Sequence, residues 1–419
     1  MKNVYIYVQA CRKRSMDAKR IEDYLIKNNY NVINNPKNAD IIIFVTCAFL
    51  DNVTEKNFEK IEEFKKLNSE LIIAGCLPEI EKKRLSKVFN GKILNTKNLE
   101  KIDTIFPENK VKFKDTDDAN ILFENIDIGS TSGLLKYYVD QNQYLNSAIS
   151  KVRNHIMKYL SQKHSPLFKA LTTKSFHLRI SSGCLGNCTY CAIKPAVGPF
   201  KSKPLDQCIK ELKKGLRKGY TNFILESDDV GAYGYDIKSS FPELLDKLTS
   251  EPGDYVISIR ALSPRWVVKY YDELGKILGR GKILSLGIAM QSANSRILKL
   301  MNRYSDMEKI KDACILLKKV FPHLGIDTHF ILGFPSETFE DFEDNLKFIE
   351  ETNFNVGYFI PFSLKTGTKA EKIEPKISQK EISDRMKYAK NYLKKIGYHV
   401  LNYKEEECKI LLFNKRGNQ

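Results

Sequence analysis

Two rhythms of apolar and polar residues alternate along this chain. VYIYVQA at 4–10 has the every-second-residue pattern of a strand, and 16–28 repeats its apolar positions at helical spacing. ADIIIFVTC at 39–47 and ELIIAGC at 70–76 are near-continuous apolar runs, suited to parallel strands buried on both faces. The pattern predicts helices at 54–67 and 83–89 and a fourth strand in KILNT at 92–96. Strands separated by helices imply a parallel α/β sheet of Rossmann or flavodoxin-like type over 1–106, with its ligand crevice at the carboxyl ends of the strands.

Between 107 and 174 the rhythm fades. Residues 113–120 are charged and turn-like, 134–159 suggest one or two helices, and HSPLFKALTTK at 164–174 reads as a linker or lid. A second alternation fills 175–375. Strands are expected in FHLRIS, NFILES, YVISIR, ILSLGIAM, IDTHFILG and VGYFIPF, with helices at 205–219, 241–248, 265–278, 295–301, 306–320 and 339–352. Six such units make an incomplete (β/α)6 barrel, whose active-site loops follow the strand C-termini. In 376–419 one helix (SQKEISDRMKYAKNYLKK) is followed by YHVLNY and CKILLF, room for a hairpin and little more.

Composition adds four points. Hydrophobic residues make up 42% of 419, enough for sizeable cores. No apolar run approaches the ~20 residues of a membrane span, and the N-terminal pattern is a strand rather than a secretory segment. Nine cysteines in such a chain suit the reducing cytoplasm, where thiols hold metals better than disulfides. The net charge of +17 fits an anionic partner, but lysines scattered on solvated helix faces account for it equally well.

The candidate chemistry lies in cysteines. Cys184, Cys188 and Cys191, in SSGCLGNCTYCAIKP just after the first barrel strand, offer three thiolates from one tight loop. A cubane iron–sulfur cluster usually takes four thiolates, so three would leave one iron open for a non-protein ligand. Zinc fits poorly, because a lone triplet has no fourth ligand nearby. A second triplet comes from distant sequence: Cys11, Cys47 and Cys76 each follow a predicted strand, so their thiols converge on one sheet edge. Three buried core cysteines are the simpler alternative there. Cys208, Cys314 and Cys408 fall in helix or strand patterns, the six histidines lack ligand spacing, and no phosphate-binding glycine loop is present. His177 and His329 read as packing residues within strands.

With both triplets placed, the chain resembles the radical S-adenosylmethionine (SAM) methylthiotransferases. The resemblance runs from the N-terminus to about residue 395, weakest over 106–174, through QACRKRSMDAKRIEDYL, VTCAF, IIAGCLPE, the CLGNCTYC loop, ILESDDVGAYGYDI, AMQSANSRILKLMNRYS, FILGFPSETFEDF and PFSLKTGTKA. Departures are Arg14 for the family's asparagine, Ala293 and Asn294 for Gly-Ser, Lys365 for arginine, and VGPFKSKP for the usual arginine-bearing stretch. The resemblance implies two [4Fe–4S] clusters, one on Cys184, Cys188 and Cys191 and an auxiliary one on Cys11, Cys47 and Cys76. It places Glu226, Ser227 and Asp228 near the SAM amino group, and Gln291, Ser292, Arg303 and Gly333 among its other contacts. Tyr190 would pack on the adenine, or simply pack the loop.

What it implies functionally is a sulfur transferase that converts a substrate C–H to C–SCH3. Such carbons lack an acidic proton, so acid–base catalysis is useless and the cofactor supplies radical chemistry. An electron donor such as flavodoxin or ferredoxin and a sulfur source are implied partners. GAYGYDI looks closest to the branch that modifies threonylcarbamoyladenosine in tRNA. The family's C-terminal β-barrel (the TRAM domain) does not fit after 395, which keeps a protein or peptide side chain in view as the acceptor. Sulfur insertion without methylation, and an Fe–S/SAM-binding redox sensor without turnover, are the remaining alternatives.

Overall fold

The computed structural model describes residues 1–123, 175–405 and 408–415. The chain divides into two compact units, Met1–Thr172 with Ala192–Pro199, and Thr173–Cys191 with Phe200–Gln419.

The first unit is built on five parallel strands: β1 (Asn3–Gln9), β2 (Asn31–Ile33), β3 (Ile41–Thr46), β4 (Glu70–Gly75) and β5 (Lys92–Asn95), in the order β2-β1-β3-β4-β5. All six residues of β3 are buried, as a central parallel strand covered on both faces requires. Tyr7, Ile42, Phe44 and Ile73 line one face with Ile61 and Phe64 of the helix Asp51–Phe64, while Ile6, Ile43 and Ile72 fill the other. The sequence missed β2, a three-residue strand flanked by asparagines. It also started the first two helices late, for they span Arg12–Lys27 and Asp51–Phe64. Arg14, Ser15 and Asp17 are buried in the first of these, so the polar letters there hid an inward-facing turn.

The second unit carries an open eight-stranded sheet. Its parallel part runs β6 (Phe176–Arg179), β9 (Asn222–Glu226), β10 (Val256–Leu262), β11 (Ile283–Gln291), β12 (Gly325–Leu332) and β13 (Val356–Pro361), in spatial order. These are the six strands expected of an incomplete barrel. A two-stranded ribbon, β7 (Ser181–Ser182) with β8 (Lys201–Ser202), stands beside them. The expected hairpin forms from β14 (Tyr398–Glu405) and β15 (Cys408–Lys415), and β15 pairs antiparallel with β13. Phe413 drops onto Gly357, where a Cβ would lie 2.3 Å from its ring. The hairpin thus covers the free edge of the barrel sheet.

The single helix expected at 265–278 is two, Pro264–Lys269 and Tyr271–Leu278, breaking at Tyr270. The helices expected at 134–159 and the lid at 164–174 lie outside the described residues. Among the described residues no helix is long and apolar enough to cross a membrane.

Candidate active site

Register decides where the first-unit cysteines stand. Gln9, Thr46 and Gly75 form one row across β1, β3 and β4. Cys47 and Cys76 are the next residues along, and Cys11 is two beyond Gln9, so all three lie just past the carboxyl ends of adjacent strands. Cys11 and Cys76 are the residues immediately before the helices Arg12–Lys27 and Leu77–Ile80. Gly75 adopts φ +100°, and a Cβ there would stand 2.3 Å from the Thr46 carbonyl oxygen, so only glycine lets β4 hug β3 at this point. The Cys76 amide then donates to that same oxygen at 3.1 Å. Asn57 Nδ2 donates to the Cys47 carbonyl at 3.0 Å, and the Cys76 sulfur is 3.8 Å from Thr96 Oγ1.

In the second unit the Cys184–Cys191 loop leaves the ribbon strand β7. A Cβ at Gly186 would meet the sulfurs of both Cys184 (3.2 Å) and Cys188 (3.8 Å), and its amide donates to the Cys184 sulfur at 3.2 Å. Burial, the Asp229 carboxylate and the neighbouring thiols Cys188 and Cys191 push Cys184 up to about 11. Mutual repulsion of this kind is what a bound cation would reverse. Among the described residues no three His, Cys, Asp or Glu side chains gather tightly enough for a single ion. A four-iron cluster takes its thiolates at separate corners, so the all-sulfur donor set, curled round a glycine, fits a cluster better than one metal ion.

Around this loop the strand ends supply polar groups. Arg303 reaches over Cys188 (Nη1 to sulfur 3.6 Å) and Tyr190 (3.5 Å to its hydroxyl), while Nη2 donates to the Ala289 carbonyl. Burial opposes its charge, but Tyr190, Cys188 and Asp229 more than offset this and hold the guanidinium above its ordinary value. Tyr190 packs edge-on to Phe334, and burial raises its hydroxyl strongly. Asp228 Oδ2 accepts from the Gly183 amide at 3.0 Å and so fixes the entry to the cysteine loop. Ser227 Oγ lies 2.6 Å from Ser181 Oγ, and Glu226 pairs with His177 Nδ1 at 3.0 Å.

Gln291 sits at the end of β11 with φ +72°, a left-handed position reached after a register shift, and its amide nitrogen is 2.5 Å from His329 Nε2. Burial, then Arg303, pulls His329 down to about 4, so the ring is neutral and Nε2 accepts this bond. His329 also stacks on Tyr358 at 5.3 Å. Ser292 is fully buried and accepts the Asn294 amide at 3.1 Å; Gly333 donates its amide to Glu337 Oε2 at 2.8 Å.

Of the residues named from sequence, Tyr190 and Arg303 join the cysteine loop directly, and Asp228 joins it through Gly183. Glu226 and Ser227 are tied to neighbouring strands, and Gln291 to His329. Ser292 and Gly333 serve their own turns. Gly333 packs toward Ile382, since a Cβ on it would come within 2.5 Å of that side chain. Sequence reasoning missed Asp229, which accepts from Arg265 Nη2 (2.7 Å) and Trp266 Nε1 (2.8 Å) and lies 3.9 Å from the Cys184 sulfur. The pair of aspartates in ESDDVG was its only signal. Cys208 and Cys314 are buried core thiols.

Comparison with known proteins agrees with this layout. Residues 178–349 match the Radical SAM superfamily, and residues 3–94 match the Uncharacterized protein family UPF0004. A probable threonylcarbamoyladenosine tRNA methylthiotransferase of Methanocaldococcus jannaschii is 27% identical over 94% of this chain and 85% of its own. Ribosomal protein uS12 methylthiotransferase RimO of a Thermoanaerobacter species is 28% identical over 98% and 88%. Among solved structures, the radical SAM methyltransferase TsrM of Kitasatospora setae shares the fold, with a TM-score of 0.58 and 11% identity over 88% of this chain and 77% of that one. Both cysteine-bearing regions and the full-length relatives lead to one assignment: the chain is a radical SAM enzyme of the methylthiotransferase family.

Proposed function

We propose that this enzyme carries two [4Fe–4S] clusters and installs a methylthio group on an adenosine of the threonylcarbamoyladenosine type in tRNA. The observation that carries the two-cluster reading is the Gln9–Thr46–Gly75 row, which sets three cysteines at the ends of three adjacent strands. On this reading residues 1–106 form the auxiliary-cluster domain, 107–174 an insertion, 175–375 the radical SAM domain and 376–419 a C-terminal helix and hairpin.

When bound, the clusters and SAM supply one-electron chemistry and the sulfur and methyl groups. The protein's part is to hold and orient. Cys184, Cys188 and Cys191 would ligate one cluster, and Cys11, Cys47 and Cys76 the other. Arg303 puts a permanent positive charge beside Cys188, where it would face the negative charge of a bound cluster. Asp228 and Asp229 fix the loop and its flanking helix, and neutral His329 aims the Gln291 amide. Glu226, Ser227, Gln291 and Ser292 stand at the ends of strands β9 and β11, where this architecture binds its ligand.

For the acceptor, the relatives divide between tRNA and uS12 enzymes at near-equal identity. The GAYGYDI segment and the excess of lysine favour tRNA. Anaerobically reconstituted protein should hold about eight irons, two cubanes, and changing Cys11, Cys47 and Cys76 together to Ala should remove half of them. Unchanged iron would overturn the auxiliary site. Incubation with SAM, a reductant and a sulfide source should then add the methylthio group to tRNA; addition to uS12 instead would move the substrate to the polypeptide.

A further inference from the structure

Beside the cysteine loop, an exposed aromatic ring is held on a fixed turn between cations. Tyr235, in the loop after β9, is 59% exposed. Its turn is tied down on both sides: the Gly234 amide donates to Ser202 Oγ (3.0 Å), and Asp236 Oδ2 accepts from the Ser202 amide (2.9 Å). Gly234 has φ +89°, and a Cβ there would come within 2.3 Å of the Ser239 backbone, so this tight geometry needs glycine. The ring stands 5.6 Å from buried Trp266, which in turn stacks on Tyr270 at an interplanar angle of 8°.

Two cations flank this aromatic stack. Lys269 Nζ is 5.0 Å from the Tyr235 ring centre and donates to its hydroxyl at 3.3 Å. It makes no ion pair among the described residues, so its charge is free for an anion. Arg265 lies over Trp266 at 4.4 Å and binds Asp229, itself 3.9 Å from the Cys184 sulfur. One line of contacts therefore runs from the cysteine loop to the exposed ring, along the end of the sheet where β9 and β10 deliver their loops.

A ring that only shielded Trp266 would have no use for an unpaired lysine at its rim. We infer that Tyr235 and Lys269 form a landing site for single-stranded RNA, with an unstacked base on the tyrosine ring and the adjoining phosphate on the lysine. A pre-fixed ring pays little ordering entropy on binding, and a lysine beside it suits the alternation of base and phosphate along a strand. This site deepens the tRNA reading above and names residues that would hold the substrate near the reacting carbon.

The test uses the full-length purified protein and a fluorescein-labelled ten-nucleotide oligoadenylate, read by anisotropy across a salt series. Tyr235→Phe should bind as wild type, and Tyr235→Ala should weaken binding roughly tenfold at every salt concentration. Lys269→Ala should weaken it and lower the salt slope by about one ion. Circular dichroism melting checks the fold of each variant. Should Tyr235→Ala not fold, Tyr235→Leu keeps an apolar cover on Trp266 and should show the same loss. Wild-type protein that does not bind the oligonucleotide, or folded Tyr235→Ala or Tyr235→Leu that binds it normally, overturns the landing site. So does a Tyr235 dependence seen only with a uS12 peptide. Tyr235-dependent RNA binding by protein that never methylthiolates tRNA would sink the substrate reading and leave the landing site standing.

Discussion

The Asp229 carboxylate stands 3.9 Å from the Cys184 sulfur and is held there by Arg265 at 2.7 Å and Trp266 at 2.8 Å. After burial, it is the next cause that lifts the Cys184 thiol to about 11. Asp229→Asn keeps an acceptor for Trp266 but removes the charge, so the thiol should ionise at lower pH. In metal-free protein at pH 9, alkylation of Cys184 by iodoacetamide, followed by mass spectrometry, should speed up at least a few-fold. An unchanged rate would mean the carboxylate does not govern this thiol.

Arg303 is the cation of the same loop, 3.6 Å from the Cys188 sulfur. A hydrogen bond from a charged donor is worth about 1.5–3 kcal/mol, or roughly ten- to a hundredfold in a rate that depends on it. Arg303→Met should slow reductive cleavage of SAM by at least about tenfold while iron content stays at the wild-type level. Loss of iron together with activity would make Arg303 a residue of loop folding instead.

Glu337 bears on pH dependence. Its side chain is fully buried against Arg385 at 2.7 Å, and burial lifts it from its ordinary 4.5 to about 7 despite the Gly333 amide and Arg385. Between those two values the native chain keeps a proton that the unfolded chain has released. This group's contribution to stability therefore falls as pH rises through that window. Glu337→Gln cannot ionise, so the melting temperature of the variant should lose that downward component between pH 4.5 and 7. Identical pH profiles would contradict the shift.

Phe413 tests whether the C-terminal hairpin is part of the barrel unit. It is fully buried, packs on Phe359 at 6.0 Å and fills the space left by Gly357. Phe413→Ala should cost about 3–5 kcal/mol, seen as a lower midpoint in urea unfolding of the second unit. A loss under about 1 kcal/mol would make the hairpin an appendage.

How much of this was legible beforehand follows from the range of each interaction. The apolar runs at 41–45 and 71–74 and the six barrel strands could be read directly, because burial on both faces leaves an uninterrupted letter pattern. The strand Asn31–Ile33 could not, since three residues carry no periodicity. The start of the first helix was hidden by Arg12, Lys13 and Arg14, of which Arg14 is buried. Pairing of β15 with β13 joins residues some fifty positions apart, and no local pattern announces it. Within the site, close spacing exposed the Cys184–Cys188–Cys191 triplet and strand-end position exposed Cys11, Cys47 and Cys76. Asp229, in the loop after β9, meets Arg265 and Trp266 on the helix after β10, and Gln291 meets His329 across two strands; such contacts belong to the fold alone.

Methylthio transfer leaves a mass signature in its product, which mass spectrometry reads. Reconstituted protein would be incubated anaerobically with SAM, a reductant, a sulfide source and tRNA bearing threonylcarbamoyladenosine, and the nucleosides then analysed. Wild-type protein should form a new nucleoside in which a methylthio group replaces one hydrogen, and Cys184→Ala should abolish it. Turnover of SAM to 5′-deoxyadenosine with no methylthio product in tRNA or in uS12 would contradict methylthio transfer.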